Sequence, residues 1–432
     1  MDDRVLEKYL AGYAEPEANV IFGHNAIFRE SGQTTYDYCL TIPAYQESFE
    51  QLARVWQDVE PQISCLIILV INSPSADEPW AHLLVNSLTE SGGSSVTNGQ
   101  NTLIRSLDGA NGNDHQHPNI DLLIVDRFSV NLTLPEKSGV GLARKIAADM
   151  AAKLIQQQVI RTPWIFATDA DAILPVDYFD ITPEANDAAL LYPFRHVAPA
   201  SLKQASDIYE LTLLYYAAGL VYAGSPYAFP TIGSTIACHV HHYAAVRGFP
   251  IRTTGEDFYL LNKLRKVGQV RAIDHSPIVL AGRESDRVPI GTGRGITKIM
   301  ALESPEHDMR VEHPDCFTTL KHFLAMLDWA ATTRNSPAHY HDRILTEYAE
   351  KIGLTKHIES RIQSGTGNAA VRKQITDWFD GLKTRQLVHH FRDHHHSTVS
   401  INAIDQAPFL KPGTDADIRA QLTAQILRAS RD

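Results

Sequence analysis

Four short apolar runs in the first 170 residues predict buried strands. They cover residues 38–42, 65–71, 122–125 and 164–167, and the second reads Cys-Leu-Ile-Ile-Leu-Val-Ile. Continuous apolar runs, in contrast to alternating ones, are typical of parallel strands that are covered on both faces. We therefore expect these runs to form the centre of one sheet.

The connections between these runs carry helical periodicity. Residues 48–59 form one such stretch, and residues 141–157 form a clearer one, in which Leu142, Ile146, Met150 and Leu154 recur at a spacing of four. Strands that alternate with helices predict an α/β fold, with a mixed sheet and helices on both of its faces.

The same patterns divide the chain into three parts. Residues 1–36 are a helical lead-in, residues 37–300 hold the α/β domain, and residues 301–432 form a helical C-terminal region with helices expected at 317–332, 341–352, 368–382 and 414–429. Residues 80–118 are rich in Ser, Gly, Asn and Asp and lack periodicity, so we expect a partly mobile insertion there whose role the sequence leaves open.

Composition narrows the classes of partner. A net charge of −11 argues against a nucleic-acid-binding protein, because phosphate contacts need a basic surface. The four cysteines are scattered and form no CxxC pair, and no apolar segment follows the charged N-terminus. These features predict a cytoplasmic protein with reduced thiols.

One uncharged stretch bears on membrane contact. Residues 211–246 lack Asp, Glu, Lys and Arg, but Gly224, Pro226 and Pro230 interrupt them well short of the roughly 20 residues that a membrane span requires. We expect a buried helix followed by a loop. Peripheral contact with a membrane surface, at the cytoplasmic face, or with a lipid acceptor is the alternative.

Three motifs carry candidate chemistry. Asp169 and Asp171 follow the fourth strand, where two carboxylates repel each other unless a cation lies near them. Glu256 and Asp257 open a helical stretch, and residues 281–295 form a Gly- and Arg-rich loop suited to phosphate. Each motif also has an ordinary structural interpretation: a turn, a helix cap or a surface loop.

Taken in order, the motifs resemble the inverting GT-A glycosyltransferases of family 2 over about residues 37–295. The resemblance is carried by five segments: PAYQES, SGVGLARKIAADMA, ATDADAI, STIACHVHHYAAVRGFP and GEDFYLLNKLRKVG. It implies a GT-A fold and a metal-dependent enzyme that transfers a sugar from a nucleotide-diphosphate donor to an acceptor hydroxyl. The acceptor, whether a glycan, a lipid-linked group or a small molecule, is left open, as are the donor sugar and its base.

The resemblance also implies residue roles. Asp257 would be the general base, Glu256 would lie on the acceptor side, and Asp169 and Asp171 would bind Mn²⁺ or Mg²⁺. The nucleotide-sugar site would be formed by Pro43, Ala44, Tyr45, Glu47, Arg144, Asp169, Arg283 and Arg287.

Some positions depart from the family pattern or stay ambiguous. The base-reading Asp that often follows the second strand is missing, so Asn72 or Asp77 would take its place. His275 is a further candidate metal ligand, although a histidine satisfied within the core is the simpler interpretation. The histidines at 389–396 include His390 and His394 at metal-ligand spacing, with a polar helix end as the alternative.

Two other function classes remain open. A nucleotidyltransferase would use a related sheet, but residues 41–48 lack the glycines of a phosphate loop. A non-catalytic protein that binds carbohydrate or nucleotide with the same fold is the second alternative.

Overall fold

The computed structural model describes residues 3–20, 35–60, 63–107, 119–284, 291–365, 367–411 and 417–430. These residues belong to two compact units. The first unit comprises Met1–Ser206 and Thr231–Ile296, and the second comprises Asp207–Pro230 and Thr297–Asp432.

The first unit is built on eleven described strands. They are β1 Tyr38–Ala44, β2 Ser64–Asn72, β3 Gly92–Asn98, β4 Asn101–Leu107, β5 Asn119–Arg127, β6 Trp164–Ala167, β7 Asp187–Leu191, β8 Phe194–Val197, β9 Ile236–His239, β10 Gln269–Ala272 and β11 Ile278–Ala281. Nine of them form one sheet in the order β10-β7-β9-β6-β1-β2-β5-β4-β3, and β8 pairs with β11 in a separate parallel pair.

The sheet is mixed. Strands β6, β1, β2 and β5 run parallel at its centre, with Leu40 opposite Phe166 and Ile67 opposite Leu122. Strand β9 runs antiparallel between β6 and β7, and β3 and β4 add an antiparallel pair at the other side. The four runs predicted from the sequence are the four central strands.

Helices cover both faces of this sheet. The helices of the first unit are α1 Asp3–Gly12, α2 Glu17–Val20, α3 Phe49–Ala53, α4 Pro79–Glu90, α5 Gly139–Gln156, α7 Val240–Ala245 and α8 Glu256–Leu264. Alternate residues of β2 face opposite sides: Ile67 and Leu69 join a core with Leu52 of α3 and Leu84 of α4, whereas α5 packs on β1 and β2 from the other side. The predicted mixed α/β fold is confirmed.

The first part of the predicted insertion contains regular structure. Residues 80–107, which show no sustained periodicity in the sequence, lie in α4, β3 and β4 and the short connections between them. Strand β3 is mostly exposed, so its Gly and Ser residues show no buried periodicity that a sequence pattern could reveal. Residues 108–118 of the predicted insertion lie outside the described residues.

A buried polar cluster attaches the N-terminal lead-in to helix α5. The carboxylate of Asp149 is fully buried and accepts hydrogen bonds from Tyr9 Oη at 2.5 Å, Tyr243 Oη at 2.8 Å and the Glu15 backbone N–H at 2.8 Å. Lys145, one turn earlier on α5, donates to Asp149 at 2.6 Å. The lead-in is therefore held by specific bonds to a buried ion pair.

The second unit is helical. Its helices are α6 Lys203–Tyr222, which begins just before the division at residue 206, α9 Thr292–Met300, which ends in this unit, α10 Pro305–Asp308, α11 Pro314–Thr333, α12 Arg343–Lys351, α13 Leu354–Gln363, α14 Asn368–Trp378, α15 Gly381–His394 and α16 Ile418–Ala429. A short antiparallel ribbon joins β12 Arg310–Val311 to β13 Val399–Ser400. The predicted helical C-terminal region is confirmed, with α10, α13 and α15 in addition to the four helices expected.

Among the described helices, none combines the length and the apolarity needed to cross a membrane.

The buried pair predicts a large stability effect. Asp149→Asn removes the nearer of the two charges that compensate buried Lys145, the other being Glu15 at 3.3 Å, and breaking a buried ion pair from one side costs about 3–5 kcal/mol. We expect a clearly lower urea midpoint, whereas Tyr243→Phe, which removes one hydrogen bond, should cost about 1 kcal/mol. An Asp149→Asn variant no less stable than Tyr243→Phe would contradict this account of the cluster.

Candidate active site

The carboxyl ends of the central parallel strands bring the candidate residues to one edge of the sheet. Ala167 ends β6 and is followed by Thr168 and Asp169, while β1, whose Thr41 lies opposite Ala167, continues in the same direction to Ala44. Antiparallel β9 begins at the same edge, and Thr168 Oγ1 donates to the Ser234 carbonyl at 3.1 Å. Open α/β sheets bind their ligands at this edge.

Arg144 of α5 connects two of the predicted motifs. Its guanidinium group is buried, donates from Nε to Glu256 Oε1 at 3.0 Å, and forms a hydrogen-bonded ion pair from Nη2 with Asp169 Oδ1. Burial opposes the charged form of Arg144, but Asp169, Glu256 and Asp257 outweigh it and raise its pKa above the ordinary value. One side chain thus joins the Asp169 turn to the start of α8.

Glycine at position 233 makes room for this guanidinium group. A Cβ on Gly233 would lie 2.6 Å from Arg144 Nη2 and 3.0 Å from Cζ. The backbone of α5 is equally close to its neighbour: a Cβ on Gly141 would meet Arg252 O at 2.5 Å. The residues before α8 therefore pack directly on the first turn of α5.

Arg283, which follows β11, neutralises a second pair of acids. Its Nη2 lies 2.9 Å from Glu47 Oε1 and 2.7 Å from Asp171 Oδ2. Burial and the neighbouring Asp169 raise the pKa of Asp171, while Arg283 lowers it. The predicted phosphate-binding Arg283 thus bridges the β1 loop and the Asp171 turn in this structure.

The surroundings of Asp257 disfavour its negatively charged form. Burial, together with the neighbouring Glu256, raises its pKa to about 7, against the opposing effects of the Phe258 N–H, which donates to Oδ1 at 2.7 Å, and of Arg144. A carboxyl group with this pKa changes its protonation state near neutral pH. This property fits a general acid or base better than a helix cap.

The residues predicted for the nucleotide pocket lie along the same edge. Pro43 and Ala44 are buried at the end of β1, and Tyr45 packs edge-on against Trp80 of α4, with ring centroids 5.8 Å apart. Asn72 is buried at the end of β2, in register with Arg127. Sequence reasoning missed Trp80, because it lies in a segment without periodicity.

Two further candidates, Asp77 and His275, contact residues other than Arg144 and Arg283. Asp77 is exposed and its Oδ1 lies 3.5 Å from His82 Nε2. His275 packs edge-on against Tyr192, and its Nδ1 lies 3.2 Å from the Ser276 carbonyl and 3.9 Å from Asp177 Oδ1. Arg287 lies outside the described residues.

The site is rich in acidic side chains. Arg144 pairs with Asp169 and Glu256, Arg283 pairs with Glu47 and Asp171, and Asp257 follows Glu256 at the start of α8. Carboxylate oxygens are the ligands that hard divalent cations prefer. The residues present therefore fit a divalent ion near Asp169 and Asp171.

Comparison with known proteins adds a likeness of fold. No protein-family model matches the sequence, and the search of curated proteins returns no match. Residues 1–349 of TarS from S. aureus, solved in complex with UDP-GlcNAc, match 83% of this chain and 92% of that chain, with 11% identity and a TM-score of 0.35. The mannosyltransferase PcManGT from Pyrobaculum calidifontis, in complex with GDP-Man and Mn2+, matches 99% and 98%, with 14% identity and a TM-score of 0.34.

The raised pKa of Asp257 predicts a pH-dependent stability. The folded protein keeps this proton up to about pH 7, whereas the unfolded chain releases it near the ordinary Asp value of about 3.9. The folded state then binds more protons between these values, so this group makes the free energy of unfolding fall as pH rises through that window.

Asp257→Asn removes this penalty. We expect the variant to be more stable than the wild type at pH 8 and to lose most of that advantage at pH 4.5, as measured by urea unfolding at both values. The exposed Asp58 provides a matched control, and Asp58→Asn should show no such difference. An equal stability change at both pH values would show that Asp257 titrates normally.

Proposed function

We propose that the chain is a metal-dependent, inverting glycosyltransferase of the GT-A type, using a nucleotide-diphosphate sugar as donor. The observation that carries this proposal is the double contact of Arg144. It links Asp169, on the proposed donor and metal side, to Glu256, which precedes the proposed base Asp257. A transfer reaction requires the residues that bind the donor and the residue that activates the acceptor to lie close together.

The donor side would be formed by residues that now satisfy one another. Pro43, Ala44, Tyr45 and Asn72 would line the base and ribose pocket, and Arg283 would exchange Glu47 and Asp171 for the diphosphate. Arg groups bind phosphate through paired, charge-assisted hydrogen bonds. Arg287 is proposed for the same role.

Asp169 and Asp171 would hold Mn²⁺ or Mg²⁺, which when bound neutralises charge on the leaving diphosphate. His275 is a further proposed ligand of this ion, because its Nε2 is buried and makes no hydrogen bond within the described residues. Its Nδ1 faces a carbonyl oxygen, which can only accept, so this nitrogen carries the proton and Nε2 has the free lone pair that metals bind.

The base side explains the chemical step. The acceptor oxygen forms a bond to the anomeric carbon as the bond to the diphosphate oxygen breaks on the opposite face, which inverts that centre. Asp257 takes the hydroxyl proton, and Glu256 helps to keep the Asp257 pKa near neutral while remaining paired with Arg144. The proton later leaves Asp257 for solvent.

A cytoplasmic location forms part of the proposal. All four cysteines are free and buried, which suits a reducing compartment.

The metal role predicts a specific loss in Asp171→Asn. The variant should bind nucleotide diphosphates equally with Mn²⁺ and with EDTA, whereas Mn²⁺ should strengthen binding to the wild type at least about 100-fold, since an ion contributes several kcal/mol. Calorimetry with UDP, GDP and CDP measures this difference. Asp58→Asn, the exposed control, should keep the full effect of Mn²⁺; an Asp171→Asn variant that also keeps it would exclude Asp171 as a ligand.

The base role predicts a loss of turnover in Asp257→Asn. Turnover should fall by about 10²–10⁴-fold, because a positioned carboxylate contributes that much, while donor affinity stays unchanged. Donor hydrolysis and transfer to a panel of glycan, lipid-linked and small acceptors provide the measurement. A protein that binds nucleotide sugars without turning them over under any condition would support the non-catalytic alternative, and formation of a nucleotide sugar from a sugar phosphate would support a nucleotidyltransferase.

The pH profile separates Asp257 from Glu256. Wild-type kcat/KM should fall below about pH 7, where the base is protonated. Glu256→Gln removes the negative charge that raises the Asp257 pKa, so this limb should move to lower pH. If Asp257→Asn turns over at the wild-type rate while Glu256→Gln does not, Glu256 is the base.

A further inference from the structure

The second unit contains a group of metal-ligating side chains that the proposed glycosyl transfer does not use. His313, Asp315 and His396 each offer one ligand atom, and these three atoms lie within 4.8 Å of one another. His313 caps the N-terminus of α11, Asp315 lies in its first turn, and His396 follows α15. Two histidines and one carboxylate are a ligand set typical of Zn²⁺.

Their backbones are fixed before any ion binds. The ribbon of β12 and β13 pairs Val311 with Val399, which brings the residues just after β12 beside those just before β13. Arg310 reinforces this ribbon by donating from Nε to Thr398 Oγ1 at 3.3 Å. The backbone N–H of His396 donates to the Phe391 carbonyl at 2.8 Å, which closes the last turn of α15.

One of the three ligand separations matches a tetrahedral ion without any movement of the side chains. His313 Nδ1 lies 3.5 Å from Asp315 Oδ2, close to the separation of about 3.3–3.5 Å between two ligand atoms that are each about 2.0–2.2 Å from a tetrahedral zinc. The rings of His313 and His396 stack with centroids 5.9 Å apart. His396 Nε2 contacts Thr319 Oγ1 at 3.3 Å, a second bond of the kind that orients a metal-bound histidine.

The hydrogen bonding of His313 also fits. Its Nδ1 accepts the Asp315 backbone N–H at 3.1 Å, so this nitrogen presents a lone pair of the kind that a metal binds. An ion bound at Nδ1 would replace this exposed N–H, and water can then take it over.

We propose that His313, Asp315 and His396 form a zinc site that joins the start of α11 to the end of α15, with solvent as the fourth ligand. The ion would act as a cross-link within the helical unit, because binding to the folded state alone stabilises it by mass action. This site is independent of the proposed Mn²⁺ or Mg²⁺ site and does not depend on the proposed function.

Cobalt substitution provides the test. The full-length chain, stripped of metal, should bind Co²⁺ and show the strong visible absorption of one tetrahedral centre per chain, and Zn²⁺ should abolish this absorption by displacing the ion. His313→Asn, which keeps a capping side chain, Asp315→Asn and His396→Gln should each weaken binding at least about 100-fold, because the loss of outer-shell partners alone costs about 10–100-fold. Zn²⁺ should raise the melting temperature of the wild type but not that of these variants.

Two control variants distinguish this site from two other places where Co²⁺ could bind. The double variant His390→Gln/His394→Gln removes neighbouring histidines of α15, and Asp171→Asn removes a proposed ligand of the first unit; both should keep the tetrahedral absorption. Loss of the absorption in either control, or its survival in His396→Gln, would overturn the assignment, as would the absence of Co²⁺ binding to the wild type. If His313→Asn fails to fold, Asp315→Asn and His396→Gln still give the answer.

Discussion

The buried guanidinium group of Arg144 is the constraint on which the candidate site depends. A charge removed from water must be paired, and Arg144 finds its partners in Asp169 and Glu256, which are 87 residues apart in the chain. The position of α5 therefore sets the distance between the turn after β6 and the start of α8. Gly233 completes the arrangement, because any side chain there would displace the guanidinium group.

The remaining acids show why a divalent cation suits this edge of the sheet. Asp171 and Glu47 are held near each other by Arg283, whose guanidinium group lies between them as a cation would. Such a pairing is exchangeable, since Arg283 is partly exposed whereas Arg144 is buried. The two arginines thus differ: Arg144 is buried between its two partners, whereas Arg283 is partly exposed, as its proposed role toward a ligand requires.

The sequence predicted those parts of the molecule whose hydrophobic pattern is set by burial on both sides. The strand over 164–167 coincides with β6, and the helix over 141–157 is α5 to within two residues. The sequence pattern did not predict strands β3 and β9, for two different reasons. Strand β3 is exposed and rich in Ser and Gly, whereas β9 is four residues long and runs directly into α7. The candidate motifs were visible in order, but their pairing was not, because the contact between Arg283 and Glu47 spans most of the α/β unit and leaves no local signature.

The lead-in helix α1 is bonded to Lys145 of α5, the residue that follows Arg144. Lys145 follows Arg144 directly, and adjacent residues on a helix point in different directions, so Lys145 reaches Tyr9, Tyr13 and Asp149 while Arg144 reaches the acids of the site. The bonds that attach α1 to α5 therefore also hold the helix from which Arg144 projects. A carboxyl group such as Asp257, whose ionised form is disfavoured where it lies, lowers stability, and proteins tolerate such a cost where the surrounding structure is held firmly. In this chain the Lys145–Asp149 pair of α5 supplies this support, because it bonds the helix to the lead-in. The lead-in is therefore part of the structural support of the site.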